Sequence, residues 1–333
     1  MTRPKIAGEI MGSRFYIDAS FLVLLLTIFA ARAAQAQSTE PSALQPTFVG
    51  FYINDLYELD LKKSTYTADF YLWMRWRGNA DPSNFEFLNG SLDMKEHPNS
   101  FVVAGAKYLS YHCRGTFHTT FDYRRYPLDE HLLVIQMEDG NDDSTKLQYM
   151  VDRDNVSRLP APTLGGWTCD PPQFEVRDHV YETNFGDPSQ SQDATSTYSR
   201  LFCTIRISRR NFSIYIKTFL ALFISVAIAF LSFVLKPSET DPRFGVGLGA
   251  IFGAVTSEIV TTSNLPDMPY LTLADKIHLF SLFVIFLSIL QSCLSLRLFR
   301  QGNSPLATRI DRISLFAFPI CYAVVIASLT FAR

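Results

Sequence analysis

The pattern of hydrophobic and polar positions changes near residue 210 and divides the chain into two halves. In the first half the period is two: the even positions of 70–76 are Phe, Leu, Met and Trp, and 201–208 alternates similarly. Turn sequences rich in Gly, Asn, Asp and Pro separate such segments, at 78–82, 139–142 and 186–189. Alternation with frequent turns is typical of antiparallel strands, so residues 37–210 are predicted to form an all-β, immunoglobulin-like sandwich.

Beyond residue 210 the alternation gives way to four long apolar runs. Each run is close to the roughly 20 residues that a helix needs to cross the hydrocarbon core of a bilayer. We therefore predict a transmembrane domain at 211–333, with helices at about 212–235, 244–265, 273–299 and 312–332. The connections are short, so the four helices are expected to be neighbours in one bundle.

Basic residues predict how these helices are oriented in the membrane. The first connection carries Lys236 and Arg243, the second carries Asp267, and the third is surrounded by Arg297, Arg300, Arg309 and Arg312. The positive-inside rule places the first and third connections in the cytoplasm. The β-sandwich is then expected on the outer side of the membrane.

The first 36 residues favour the same orientation. Basic residues at 3, 5 and 14 precede an apolar stretch at 21–30, and Ala34, Gln35 and Ala36 form a small-x-small cleavage pattern. About ten apolar residues are too few to span a membrane, so a signal peptide at 1–36 is favoured over a membrane anchor.

The second apolar run differs from the other three because it is rich in Gly, Ser and Thr. Such a helix suits contact with other helices or with water better than contact with lipid. One stripe of this helix, at steps of four, three, four and three, contains Gly245, Gly249, Phe252, Thr256 and Ile259. Two interpretations stay open: a packing face within one chain, or a pore stripe to which several chains contribute.

Composition and charge exclude several classes of function. The formal net charge of −2 is not the basic balance of a nucleic-acid-binding protein. Five cysteines are too few for a disulfide framework in a chain of 333 residues. No phosphate-binding loop, nucleophile elbow or paired-histidine zinc motif occurs, so we predict no enzyme activity, cofactor or metal site. The carboxylates at 138–139 and 142–143 are interpreted either as a solvated turn or as a catalytic or cation-binding pair.

Four motifs, in order along the chain, resemble those of a known family. They are FDYRRYPLD at 121–129, RISR at 206–209, NLPDMPYLT at 264–272 and AFP at 317–319. They make the chain similar to the prokaryotic branch of the pentameric ligand-gated ion channels, the Cys-loop receptor superfamily. The resemblance implies a homopentamer around a central pore, multi-pass in the bacterial inner membrane, with the β domain on the periplasmic side.

The chain departs from the animal members of that family at three points. Thr119 and Leu133 stand where the cysteines of the naming disulfide would be, and the connection at 300–311 is too short for a cytoplasmic domain. Both are features of bacterial members. Glu138-Asp139-Gly140 replaces an aromatic residue of one agonist-binding loop, so the agonist stays open between an amine-like ligand and protons.

The resemblance also implies agonist sites between adjacent β domains. Tyr181 and Tyr198 would lie on the capping loop near Glu138. An aromatic cage beside a carboxylate suits an ammonium group, and the alternative is two tyrosines that are merely half-buried on the sandwich surface. The coupling interface towards the membrane would contain Asp60, Asp129, Arg209, Pro266 and Tyr270. Asp129 and Arg209, joined by Asp60, are expected to form a charge network there.

The second helix would line the pore at Asp241, Gly245, Gly249, Phe252, Thr256 and Ile259. Phe252 and Ile259 would form two apolar rings that close by dewetting, and Asp241 would attract permeant inorganic cations to the cytoplasmic mouth. Arg243 would oppose that attraction if it faced the lumen. The predicted function is a ligand-gated, cation-selective channel. The alternatives are a membrane-anchored periplasmic sensor or binding protein without a pore, and a membrane-bound enzyme.

Overall fold

The computed structural model describes residues 1–2, 46–183, 185–186, 191, 195–209, 212–263 and 265–332. All but the first two residues of the predicted signal peptide at 1–36 lie outside the described residues. The chain from Pro46 onward forms one compact unit.

In the described part of the chain, ten strands build the first half of this unit. They are β1 (Thr47–Asp60), β2 (Thr65–Trp76), β3 (Phe85–Phe87), β4 (Gly90–Val103), β5 (Ala106–His118), β6 (Glu130–Asp139), β7 (Tyr149–Val151), β8 (Thr168–Cys169), β9 (Gln173–Tyr181) and β10 (Ser196–Ser208). One sheet has the order β4-β5-β2-β1-β7, and the other has β3-β6-β10-β8 with β9 also paired to β10. Among the described residues, every pairing between these strands is antiparallel except that of β1 with β7. The predicted β-sandwich region is confirmed.

The alternating positions of the strands supply the core of the sandwich. Phe70, Leu72 and Met74 on β2 are completely buried, whereas Tyr71 between them is 46% exposed. Leu133 and Ile135 on β6 close the core from the other sheet. Aromatic rings fill its centre, with centroids 5.3 to 6.3 Å apart among Phe51, Phe70, Phe87 and Phe117. The period of two therefore identifies the buried face correctly.

The described residues of the second half form four helices, and each is long and apolar enough to cross a membrane. They are α1 (Phe212–Leu231), α2 (Thr240–Thr262), α3 (Leu273–Arg300) and α4 (Ser304–Phe331). Helix α2 packs on α1 and α3, and α4 packs chiefly on α3. The four predicted helices are present, although several ends differ from the predicted ones.

Helix α1 ends at Leu231, four residues before the predicted boundary at 235, and α2 begins at Thr240 with a polar first turn that contains Asp241. Helix α4 begins at Ser304 rather than near 312, with Pro305 in its first turn, where proline is well accommodated. Helix α3 begins at Leu273, after a capping box between Thr272 and Asp275. Hydropathy alone does not register such polar first turns.

Candidate functional sites

Helix α2 has two opposite faces, and one of them packs within the chain. The residues buried on this packing face are Arg243, Gly247, Ala250, Ala254, Ser257 and Thr261. A Cβ at Gly247 would lie 2.8 Å from Ile289 Cγ1 of α3, so glycine is needed there for close approach. A Cβ at Gly253 would come closer still to the Oγ of Ser225 on α1. These two glycines serve helix packing.

The α2 stripe, which we define as Gly245, Gly249, Phe252, Thr256 and Ile259, lies on the opposite face. Phe252 is 64% and Ile259 63% exposed. A Cβ at Gly245 or Gly249 would meet no atom within 4 Å. Asp241 and Thr256 are exposed as well. At about 100° per residue the α2 stripe lies roughly half a turn from the packing face, so the described chain leaves it uncovered.

The predicted agonist residues Glu138, Tyr181 and Tyr198 come together at the β9–β10 end of the sandwich. The Tyr181 hydroxyl donates to Glu138 Oε2 at 3.0 Å, and the rings of Tyr181 and Tyr198 meet edge to face with centroids 5.7 Å apart. The rings of His179 and Phe185 lie 4.5 and 5.3 Å from that of Tyr181. An aromatic cluster beside Glu138 is therefore present.

Arg200 on β10 changes the charge of this cluster. Its Nε donates to Glu138 Oε1 at 2.6 Å and its Nη2 to the Tyr181 hydroxyl at 2.9 Å. The Glu138 side chain is 2% exposed, so its negative charge is both buried and compensated. Burial, followed by the neighbouring Glu138, raises the pKa of Tyr181, which stays a neutral hydrogen-bond donor. Arg200 was not predicted, because only the strand register brings it beside Glu138.

The predicted coupling residue Tyr270 lies where the sandwich meets the helices. Backbone hydrogen bonds join Leu273 N to Arg124 O at 2.8 Å and Ala274 N to Tyr126 O at 3.1 Å. They seat the loop between β5 and β6 on the first turn of α3, whose free N–H groups need acceptors. The Tyr270 hydroxyl accepts from Tyr123 N at 3.3 Å. Pro266 is half-buried in the connection between α2 and α3.

Two side-chain nitrogens of Arg125 tie the same loop to the end of α4. They donate to the carbonyls of Ala332 at 3.0 Å and Thr330 at 3.2 Å. Carbonyls at a helix C-terminus lack partners within the helix and carry partial negative charge, so an arginine is a favourable donor there. One loop thus contacts both α3 and α4.

The expected charge network between Asp129, Arg209 and Asp60 is wrong in its partners. In the described part of the chain, Asp129 pairs with His131, whose Nε2 lies 2.6 Å from Asp129 Oδ2, and both side chains are fully buried. The Arg209 guanidinium lies over the Trp167 ring at 4.2 Å, and Arg209 contacts Asp129 through its backbone N–H, at 3.0 Å. Asp60 instead accepts from Lys63 N at 3.0 Å.

The His131–Asp129 pair is incompletely satisfied. Among the described residues, Asp129 Oδ1 and His131 Nδ1 have no hydrogen-bond partner. The rings of Phe121, Tyr123 and Trp167 surround the imidazole at 4.6 to 5.6 Å. An apolar shell of this kind excludes water, so each member of the pair depends on the other.

The described residues contain no group of three or more His, Cys, Asp or Glu side chains that could hold a metal ion. All five cysteines are free, and burial raises the pKa of Cys113 to about 12. A thiol with that pKa is unreactive at neutral pH.

A β-sandwich followed by four membrane-length helices, with a loop seated on the third helix, is consistent with the fold of a pentameric ligand-gated channel subunit. No family model matches the chain. The chain is 22% identical over 353 residues to the proton-gated ion channel of Gloeobacter violaceus, covering 96% of this chain and 94% of that protein. The resemblance to prokaryotic pentameric ligand-gated channels is confirmed.

Proposed function

We propose that this chain is the subunit of a homopentameric, ligand-gated, cation-selective channel whose pore is lined by α2. One observation carries the proposal: the α2 stripe lies opposite the packing face of α2 and is uncovered in the described chain. Glycine and threonine in such a stripe have no advantage against lipid, whereas they leave room for water and ions in a lumen.

The residues of the stripe differ in what they would do. Phe252 and Ile259 would place two apolar rings along the lumen, which closes to ions when it dewets. Asp241 would place a ring of carboxylates at the inner mouth, where like charges raise the local concentration of cations. Arg243 is 1% exposed and ion-paired within the bundle, which removes the counterargument that it faces the lumen.

For the agonist we favour protons over an amine. Glu138 already accepts from Arg200 and Tyr181, so an ammonium group would have to compete with a guanidinium for the carboxylate. Burial raises the pKa of the adjacent Asp139, although backbone N–H groups of Asp142 and Asn141 oppose the shift. A carboxyl with a raised pKa takes up its proton on milder acidification, and the similar Gloeobacter channel is named as proton-gated.

The proposal also includes the orientation of the chain in the membrane. The residues 1–36 would be removed as a signal peptide, and the β-sandwich of 37–210 would face the periplasm. The helices in 211–333 would lie in the inner membrane, with their basic connections inside. A membrane-anchored sensor without a pore is disfavoured because it has no use for the α2 stripe.

Currents from oocytes that express the full chain test the proposal. We expect currents when the bath is acidified and none when a panel of amines is applied at neutral pH. In sodium chloride gradients, the reversal potential should lie close to the equilibrium potential of sodium and not to that of chloride. A current evoked by an amine would show that the agonist is an amine and not the proton. Protein that reaches the cell surface but carries no current under any condition would favour the membrane-anchored sensor without a pore.

A further inference from the structure

A buried polar network joins the four helices at the end of the bundle farthest from the β-sandwich. It lies where α1 and α3 end and where α2 and α4 begin, while the sandwich contacts the opposite end of α3. Its two charged members are Arg243, on the first turn of α2, and Asp311, on α4. Neither residue belongs to the α2 stripe.

The Arg243 guanidinium contacts three different elements. Its Nη2 lies 2.6 Å from Asp311 Oδ1, its Nη1 donates to Ser295 Oγ at 3.3 Å, and its Nε donates to the carbonyl of Ser232 at 2.8 Å. Ser232 follows α1 directly, and Ser295 belongs to α3. The guanidinium therefore connects all the other helices to α2.

Asp311 is held by further donors. Gln291 Nε2 donates to Asp311 Oδ1 at 2.8 Å, and Ser295 Oγ donates to Oδ2 at 2.9 Å. The side chains of Arg243 and Asp311 are 1% and 5% exposed. Charges this deeply buried persist only when they are paired, and removing one partner leaves the other uncompensated.

The position of Arg243 relative to Asp241 gives this network a consequence for ion permeation. Two residues on a helix point about 200° apart, so Asp241 is exposed while Arg243 is buried. Both belong to the first turn of α2, and a guanidinium released from the network would lie near the proposed ring of carboxylates. Opposite charges at one mouth would lower the local cation concentration.

We propose that Asp311 determines permeation by retaining Arg243 inside each subunit, so that the inner mouth presents the Asp241 carboxylates without a neighbouring positive charge. Asp311 is a positioning residue, because it acts through Arg243 and touches no ion. The inference rests on the proposed cation channel. It goes further, because it assigns charge selectivity to a carboxylate on the helix that lies farthest from the pore helix in sequence.

The test uses single-channel recordings of the full chain in sodium chloride gradients. Asp311→Asn keeps the shape of the side chain and removes its charge, so Arg243 loses its partner. We expect sodium conductance to fall by about threefold or more, with chloride permeability rising. The double variant Arg243→Gln/Asp311→Asn removes both charges and is expected to restore wild-type conductance and selectivity. Arg312→Gln, at the exposed neighbour of Asp311, serves as the matched control and should leave selectivity unchanged.

A milder variant covers the case in which Asp311→Asn does not reach the surface. Ser295→Ala deletes the hydroxyl that contacts both charged partners, and it should shift selectivity in the same direction by a smaller factor. Wild-type conductance and selectivity in Asp311→Asn, or in Ser295→Ala where that variant stands in, would overturn the inference. So would a double variant that stays as impaired as Asp311→Asn.

The outcomes separate this inference from the proposed function. A wild-type chain that carries no current, or that prefers anions, refutes the cation channel itself. If the wild type is cation-selective and Asp311→Asn leaves that selectivity unchanged, only the role given to the network is refuted.

Discussion

The β-sandwich and the helical bundle bury their apolar residues to different degrees. The sandwich completes its core within one chain, since both sheets contribute fully buried side chains to it. In the bundle, the most apolar windows of α1 and α3 are 39% buried, but those of α2 and α4 are 28% and 17% buried. A face left open in one chain contacts lipid, a further protein surface or the water of a lumen.

Within α2, the packing face and the α2 stripe differ in how closely their small residues are approached. The packing face carries small residues that let helices approach closely, and the tightest glycines lie on or beside it. The α2 stripe also carries glycines, although nothing approaches them. Small residues without a close neighbour in the chain suit a water-filled space better than contact with lipid.

The largest expected effect comes from a matched pair of phenylalanines. Phe70 is completely buried and packs within 5.7 Å of the Phe87 ring, so Phe70→Ala should lower the free energy of unfolding by about 3–5 kcal/mol. Phe252 is exposed, so Phe252→Ala should change the free energy of unfolding by less than about 1 kcal/mol. The same variant should produce a leak current. Thermal unfolding of the purified protein and whole-cell currents measure the two effects. Equal destabilisation by both variants would contradict the distinction between closed core and open face.

The next effect concerns the junction of the two halves. His131→Leu leaves the buried Asp129 carboxylate without its partner and should cost about 3 kcal/mol or more of stability. His131→Gln keeps a donor and should cost less. Arg209→Ala loses the contact with the Trp167 ring and should cost only about 1 kcal/mol.

Double-mutant cycles on thermal stability separate the two partners of Asp129. The coupling of Asp129 with His131 should be larger than that with Arg209, because only the former pair joins two side chains. A larger coupling energy between Asp129 and Arg209 would contradict the Asp129–His131 pair and support the originally expected ion pair with Arg209.

A smaller effect is expected from the proposed ring at the inner mouth. Asp241→Asn should lower sodium conductance by about two- to fivefold, since five carboxylates would lose their charge together. Asp267→Asn, at an exposed carboxylate in the connection between α2 and α3, is the control and should leave conductance nearly unchanged. Single-channel recording provides the measurement, and equal effects of the two variants would remove Asp241 from the mouth.

The smallest effect is a shift of pH dependence at Asp139. Because burial raises its pKa in the folded chain, the folded state binds this proton more tightly than the unfolded state does. The associated stability is present at low pH and is lost as pH rises through the raised pKa. Asp139→Asn removes this titration and should flatten the pH dependence of thermal stability in that range by about 1 kcal/mol or less. An unchanged pH profile would show that Asp139 contributes nothing to it.

Local patterns predict the strands and the existence of four helices, because burial of alternate residues and membrane-length apolar runs are local signals. Side-chain partners are predicted less well. The sequence spacing could have predicted the Asp129–His131 pair, because residues two apart at the start of a strand share one face. The Asp129–Arg209 expectation came instead from the family resemblance.

Other contacts have no local signal at all. Arg200 reaches Glu138 because β10 pairs with β6 in one particular register, with Leu201 opposite Met137. Arg243 and Asp311 lie on different helices, and their pairing depends on how α2, α3 and α4 pack. A buried arginine in an apolar helix predicts that some acidic partner exists, but only the fold identifies Asp311.

Cysteine accessibility on α2 tests most directly whether the stripe lines a pore. Thr256 is exposed on the α2 stripe, while its neighbour Ser257 is buried with its hydroxyl 3.2 Å from His278 Nε2. In a chain whose exposed Cys293 and Cys321 are replaced by alanine, a water-soluble, charged thiol reagent should block current through open Thr256→Cys channels. It should leave Ser257→Cys channels unaffected. Block of Ser257→Cys with sparing of Thr256→Cys, or no modification of either in conducting channels, would contradict a lumen lined by the α2 stripe.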